Sequence, residues 1–196
     1  MPILKREPDF FPESLFDLDV EDVPWWVAHV RARQEKALAR FLKPLEIPFY
    51  LPLHERMLRR AGRKFLSFLP LFPGYVFFRG TVDERYLAVQ NHYVCRVLGV
   101  LDQHGFHAEL GQLRSLQEIG ASLEPHEYLG PGMAVTIAEG PFQGYSGVIV
   151  RAKGKVRMVV SVTMLRRSIV VELDREEMVV VPAKSRPCGR EARPAA

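Results

Sequence analysis

The sequence predicts an α+β protein: an antiparallel sheet with packed helices over residues 25–122, then a small five-stranded β-barrel over residues 130–182. Three observations predict it. From Trp25 on, β-rich runs alternate with amphipathic helical stretches, an order that suits helices packed on a mostly antiparallel sheet. "SLEPHEYLGPG" gathers Pro125, Gly130, Pro131 and Gly132 among polar residues, and reads as a linker over 123–129. After Met133 the helical period disappears and five short β-branched segments follow, whose edges a small domain protects best by closing into a barrel.

The first 24 residues hold two basic and seven acidic residues with scattered aromatics and no sustained period, so they read as a flexible leader or one draped on the body. "WWVAHV" (25–30) is a strand. "RARQEKALARFLKPL" sets Gln34, Ala37, Leu38, Phe41, Leu42 and Leu45 on one helical face, and Pro44 marks its end. "IPFYLPLHERMLRR", "RKFLSFL" and "PGYVFFR" are β segments, with Ala61-Gly62 as a turn. Thr81 caps a short helix in "TVDERYLAVQ", "YVCRVLGVL" is a strand, and Leu110, Leu113, Leu116 and Ile119 stripe a last helix. In the C-terminal region "VRMVVSV" and "SIVVEL" are too rich in β-branched residues to rest as helices. Residues 183–196 read as a disordered tail.

The net charge of +4 is uneven: −5 over residues 1–24, +6 over 25–123 and +3 over 124–196. A basic body suits an anionic partner. No apolar run approaches the ~20 residues that span a bilayer, and the two cysteines build no disulfide framework, so a cytoplasmic monomer is expected, with Cys95 as a small buried hydrophobe. The six histidines show no metal-ligand spacing, and His104 and His107 fall in a predicted solvated loop. "GPFQGYSG" lacks the Lys-Ser/Thr of a phosphate-binding loop, so no metal, cofactor or enzyme activity is expected. Gly140, Gly144 and Gly147 instead suit a loop with positive φ followed by close backbone approach at the next strand.

"LFPGYVFF" raises the sharpest question. Period two puts Tyr75 and Phe77 on one strand face and Val76 and Phe78 on the other. The residues alone leave two readings open: one face is a docking surface, or both are buried, one under helices and one under the leader. Likewise Arg59, Arg60, Arg63 and Lys64 at the hairpin turn either track phosphates or form a solvated tip. Arg31, Arg33 and Gln34 at the first strand-to-helix turn are a second nucleic-acid candidate.

"WWVAHVRARQEKALARFL" with "LFPGYVFF" resembles the N-terminal domain of the bacterial NusG family, and "GPFQGYSGVIVRAKGK" resembles the KOW motif, here carried by Gly140, Phe142, Gly144 and Gly147. The resemblance covers residues 25–181 in the family's domain order. It implies a NusG-like N-terminal domain, an SH3-like KOW barrel and a transcription elongation or antitermination factor. The first domain would bind the clamp helices of the largest RNA polymerase subunit. The DNA of the elongation complex is a further implied partner, and the barrel would recruit a small-subunit ribosomal protein or Rho. Tyr75 and Phe77, with His29 and Val97, correspond to the polymerase-facing positions, and Arg31, Arg33 and Gln34 to a turn that contacts the non-template strand in some relatives. The long acidic leader and the mixed features of "LFPGYVFF" lean toward the specialised RfaH-like paralogs. The rival reading is a ribosome- or RNA-binding KOW protein.

Overall fold

The computed structural model describes residues 8–60, 62–126, 134–137, 143–152, 155–173 and 180–182. The N-terminal part is built on a five-stranded sheet of order β1-β3-β6-β2-β7, from β1 (Phe10–Phe11), β2 (Trp25–Val30), β3 (Phe49–Tyr50), β6 (Tyr75–Arg79) and β7 (Val94–Gly99). Every neighbouring pair in it is antiparallel. Between β3 and β6 the chain leaves as a separate two-stranded ribbon, β4 (Leu53–Arg60) and β5 (Arg63–Pro70).

Both sheet faces are covered. Ala28, Val30, Phe49, Val76 and Phe78 pack under α1 (Glu35–Leu42) and α2 (Val82–Gln90), with Leu38, Ala39, Leu42 and Ala88 as the helices' contributions. α1 stops where Pro44 forbids a further helical turn, and Glu46 reverses the chain at φ +56°. α2 starts on a capping box: Thr81 Oγ1 accepts from the Glu84 amide and the Glu84 carboxylate accepts from the Thr81 amide. On the other face Trp25, Val27, Tyr50 and Phe77 meet Phe106, Leu110, Leu113 and Leu116 of α3 (Gln103–Glu118). Asp102 caps α3 by accepting from the Gly105 amide, so the helix takes in His104 and His107, which the sequence placed in a loop.

The leader is the draped alternative rather than a flexible segment. Phe10 and Phe11 pair with Tyr50 and Phe49, and a 3-10 turn at Glu13–Phe16 drives Leu15 fully into the core, followed by Val20. Residues 1–7 and the predicted tail 183–196 lie outside the described residues.

The C-terminal part is all β, as its β-branched composition predicts. Its sheet has the order β13-β9-β10-β11-β12-β8, from β8 (Leu123–His126), β9 (Ala134–Ile137), β10 (Ser146–Ala152), β11 (Lys155–Val162), β12 (Arg167–Leu173) and β13 (Val180–Pro182). Two expectations change here. Leu123–His126, expected as linker, is a strand along β12, pairing Leu123 with Val171 and His126 with Ser168. The five strands β9–β13 fit a small KOW domain, but the sheet is not a closed barrel among the described residues. β8 occupies the outer edge of β12, which closure by β13 would have needed. α3 joins the two parts: Gln112 Nε2 donates to the Ser146 carbonyl (2.6 Å), and the Glu109 carboxylate accepts from the Thr163 hydroxyl (2.6 Å) and amide (3.1 Å).

Candidate functional site

His29 and Tyr75 sit opposite each other on β2 and β6, half-buried, with ring centroids 5.3 Å apart. The Pro73-Gly74 pair explains their setting. Gly74 has φ +86°, donates its amide to the buried Glu35 carboxylate (2.7 Å) and accepts from the Val30 amide (2.8 Å). The turn is thereby pinned beside the His29 ring in a conformation that favours glycine.

Phe77 lies on the same strand face as Tyr75 but is fully buried, its ring centroid 5.6–6.3 Å from those of Phe106, Phe72 and Tyr50. It is a floor beneath the site and not part of a surface, because α3 closes over it. Val97 is corrected more sharply: it pairs with Ala28 and packs into the core under α1 and α2, on the opposite face from Tyr75. The cause is a β-bulge. Val30 pairs with Val94 but His29 pairs with Arg96, leaving Cys95 as the extra residue. Regular pairing from Val30 would have put Val97 opposite Val27; the bulge puts Leu98 there instead. Leu98 is half-buried against the Phe77 core. The bulge also turns Cys95 outward, so it is exposed and not the buried hydrophobe expected.

Of the basic candidates, Arg33 alone lines a cleft, whose opposite wall is the base of the ribbon that carries Arg59, Arg60, Arg63 and Lys64 at its tip. In the β4–β5 ribbon one face carries the pairs Arg60/Arg63, Leu58/Phe65, Arg56/Ser67 and His54/Leu69. Arg59, Arg63 and Lys64 are exposed near its tip, as are Phe65 and, on the opposite face, Met57; the Arg60 side chain lies outside the described residues. Arg56, Ser67 and His54 continue into that open cleft of about 850 Å³, whose other wall is Arg33 and Lys36 at the start of α1. The hairpin and the first strand-to-helix turn, read separately in the sequence, thus share one groove. Arg31 and Arg33 are exposed and Gln34 half-buried; Arg33 adopts φ +63°, a sparsely populated conformation for a residue with a Cβ. Three carboxylates, Glu35, Glu55 and Glu124, also line the cleft, although Glu35 is engaged by Gly74. Burial lowers the pKa of His54, Arg56 lowers it further and Glu124 opposes them.

Of the KOW-motif glycines, Gly144 has the positive φ its loop requires, +86°. Gly147 is the close approach: a Cβ there would come within 2.7 Å of Met158 Cγ and of the Val159 carbonyl. Gly140 and Phe142 lie outside the described residues.

Two residues that the sequence did not single out organise the sheet face. Arg79, fully buried at the end of β6, donates to the carbonyls of Val23 (2.8 Å), Leu15 (3.0 Å), Leu18 (2.9 Å) and Asp19 (2.6 Å), and stands over the Trp25 ring. Burial lowers its pKa and Asp19 pulls it back up. His107 Nδ1 accepts from Trp25 Nε1 at 3.1 Å. No local motif announces either, since their partners are 56 or more residues away in sequence. Among the described residues no group of three or more His, Cys, Asp or Glu could hold a metal ion, and no helix is long and apolar enough to cross a membrane.

The family model described as "Transcription termination factor nusG" matches residues 23–111, which take in β2, β3, β6 and β7 of the five-stranded sheet, α1, α2 and the first half of α3. The "Transcription termination/antitermination protein NusG" of Buchnera aphidicola subsp. Baizongia pistaciae (strain Bp) is 29% identical over 136 residues, covering 63% of this chain and 72% of that protein. The protein of the same description from Yersinia pestis is 29% identical over 133 residues, with the same shares covered. The solved structure "Domain interaction in Thermotoga maritima NusG" aligns with a TM-score of 0.43 at 17% identity, over 78% of this chain and 94% of that one. Residues 23–111, built as described above, are thus similar to the NusG family's domain, and the two relatives extend the likeness over 63% of the chain.

Proposed function

We propose that the protein is a cytoplasmic transcription elongation or antitermination factor that docks on the clamp helices of RNA polymerase through the His29–Tyr75 end of its sheet. The observation that carries this is the half-exposed pair of rings, 5.3 Å apart, on a face otherwise sealed by α3 and the leader. An aromatic pair beside Leu98 is a compact anchor for the apolar stripe of a partner helix, and the buried Phe77 holds Tyr75 in position from below. The likeness of residues 23–111 to the NusG family supports the same partner. The C-terminal sheet recruits a second protein, a small-subunit ribosomal protein or Rho.

Tyr75→Ala is expected to weaken binding to an isolated clamp-helix fragment about thirtyfold, ~2 kcal/mol, while the melting temperature stays near the wild-type value. Equal binding by both proteins in a titration calorimeter sinks the docking assignment. Pulldown from lysate separates this reading from an RNA-binding one: polymerase subunits support it, and ribosomal RNA in their place overturns it.

The tip of the ribbon suits the DNA backbone of the elongation complex, with Arg59, Arg60, Arg63 and Lys64 as phosphate contacts that read no bases. Replacing these four with Gln should weaken binding to elongation complexes and flatten the slope of log affinity against log salt by up to about three units. An unchanged slope would leave them as solvated surface.

A further inference from the structure

Residues 9–23 are held on the sheet from two sides, by hydrogen bonds from Arg79 of β6 and by the packing of Phe16 against His107 of α3. Phe16 in the leader's 3-10 turn fills the space between, its ring 5.8 Å from Trp25, 5.4 Å from Tyr50 and 5.7 Å from His107. His107 touches both β2 and the leader: Nδ1 accepts from the indole of Trp25, and the ring packs against that of Phe16. Only a neutral imidazole makes the first contact, because the imidazolium has no acceptor nitrogen.

We propose that His107 is a pH-sensitive latch that keeps the leader strapped over the sheet face while neutral and releases it on protonation. With both ring nitrogens as donors, the imidazolium has no acceptor for Trp25 Nε1, whose residue is fully buried. It also places a second cation near Arg79, which already stands over the Trp25 ring at 5.1 Å. Burial is the largest influence lowering the pKa of His107, followed by Arg79; the Phe16 backbone works against them, and His104 adds a small lowering. The contact from β2, Trp25, is uncharged. The leader's own carboxylate here, Glu21, binds His104 at 3.0 Å.

That second pair, His104 with Glu21, lies at the surface. Both of its side chains are about three-quarters exposed, so solvent screens it and the buried contact decides. The undocked His107 titrates near its ordinary ~6.5, and docking lowers it. The latch therefore contributes fully above about pH 6.5 and is lost as pH falls through that value toward the docked pKa. Release uncovers the seats of Leu15 and Phe16 on Trp25 and Tyr50.

Hydrogen exchange of the full-length protein at pH 7.5 and 5.5, corrected for intrinsic exchange, tests this. Protection of amides 9–23 should fall about fivefold or more at the lower pH, beyond any change in the helices α1 and α2. His107→Gln, which can accept from Trp25 without titrating, should remove the pH dependence; His104→Gln should keep it. A flat wild-type profile, an unchanged dependence in His107→Gln, or its loss in His104→Gln overturns the latch. Should His107→Gln fail to dock the leader even at pH 7.5, the wild-type NMR titration decides. The Trp25 indole N–H and the leader amides must share one midpoint with His107, and separate midpoints overturn the proposal.

Discussion

Phe77→Ala should lower the stability of the N-terminal domain by about 3–5 kcal/mol, a large share of the total for a domain of this kind. The ring is fully buried among Tyr50, Phe72 and Phe106, and Val27 faces it across the β2–β6 ladder. Removing it opens a cavity whose walls belong to three strands or loops and a helix, which cannot all collapse inward together. Urea unfolding followed by tryptophan fluorescence measures the loss; a shift under 1 kcal/mol contradicts the assignment of Phe77 to the core. Tyr75→Ala, two residues away on the same face, should cost far less stability and far more binding. The pair thus separates floor from surface, although the sequence pattern treats the two residues alike.

Arg79→Ala should cost about 3 kcal/mol or more, and the loss should appear as undocking of the leader rather than as uniform weakening. Four carbonyls, from Leu15, Leu18, Asp19 and Val23, converge on one guanidinium. Hydrogen bonds to a charged donor are individually strong, and leaving the carbonyls buried without a partner is worse than letting the segment go. Loss of amide protection across residues 9–23 with the β2–β6 ladder intact is the expected result; unchanged protection refutes it. Arg79→Lys should rescue little, because a single ammonium cannot reproduce the fork that reaches carbonyls on both sides.

How much was readable without the fold depends on how far each residue's partner lies along the chain. The Thr81 cap, the helical stripe through Leu110, Leu113 and Leu116, and the β-branched run of β11 are local patterns and appear where they were expected, whereas Ile119, the last member expected in the stripe, falls past the end of α3 and is exposed. Gly144 and Gly147 were readable for the same reason: a positive φ and a missing Cβ are properties of single positions. Phe77 is on the expected face but is buried because α3, distant in sequence, closes over it, and Val97 was misplaced because the face a strand residue occupies depends on register with its neighbour. One unpaired residue, Cys95, reverses the parity of everything after it in β7.

The sequence by itself determined the α+β class, the main strands and helices between Trp25 and Glu118, the all-β C-terminal part and the resemblance to the NusG family, since these rest on periodicity, caps, turns and motifs within a few residues of one another. Only the tertiary structure decided which aromatic is floor and which is surface, that Leu98 and not Val97 completes the face, and that the ribbon and the first turn share a cleft. It also decided that the leader is docked, through Arg79 and His107, and that Leu123–His126 takes the edge of β12. The physical reason is the same throughout. Burial, register and long-range hydrogen bonds are properties of pairs separated by tens of residues, and no single residue's chemistry reveals which partner the folded chain will bring to it.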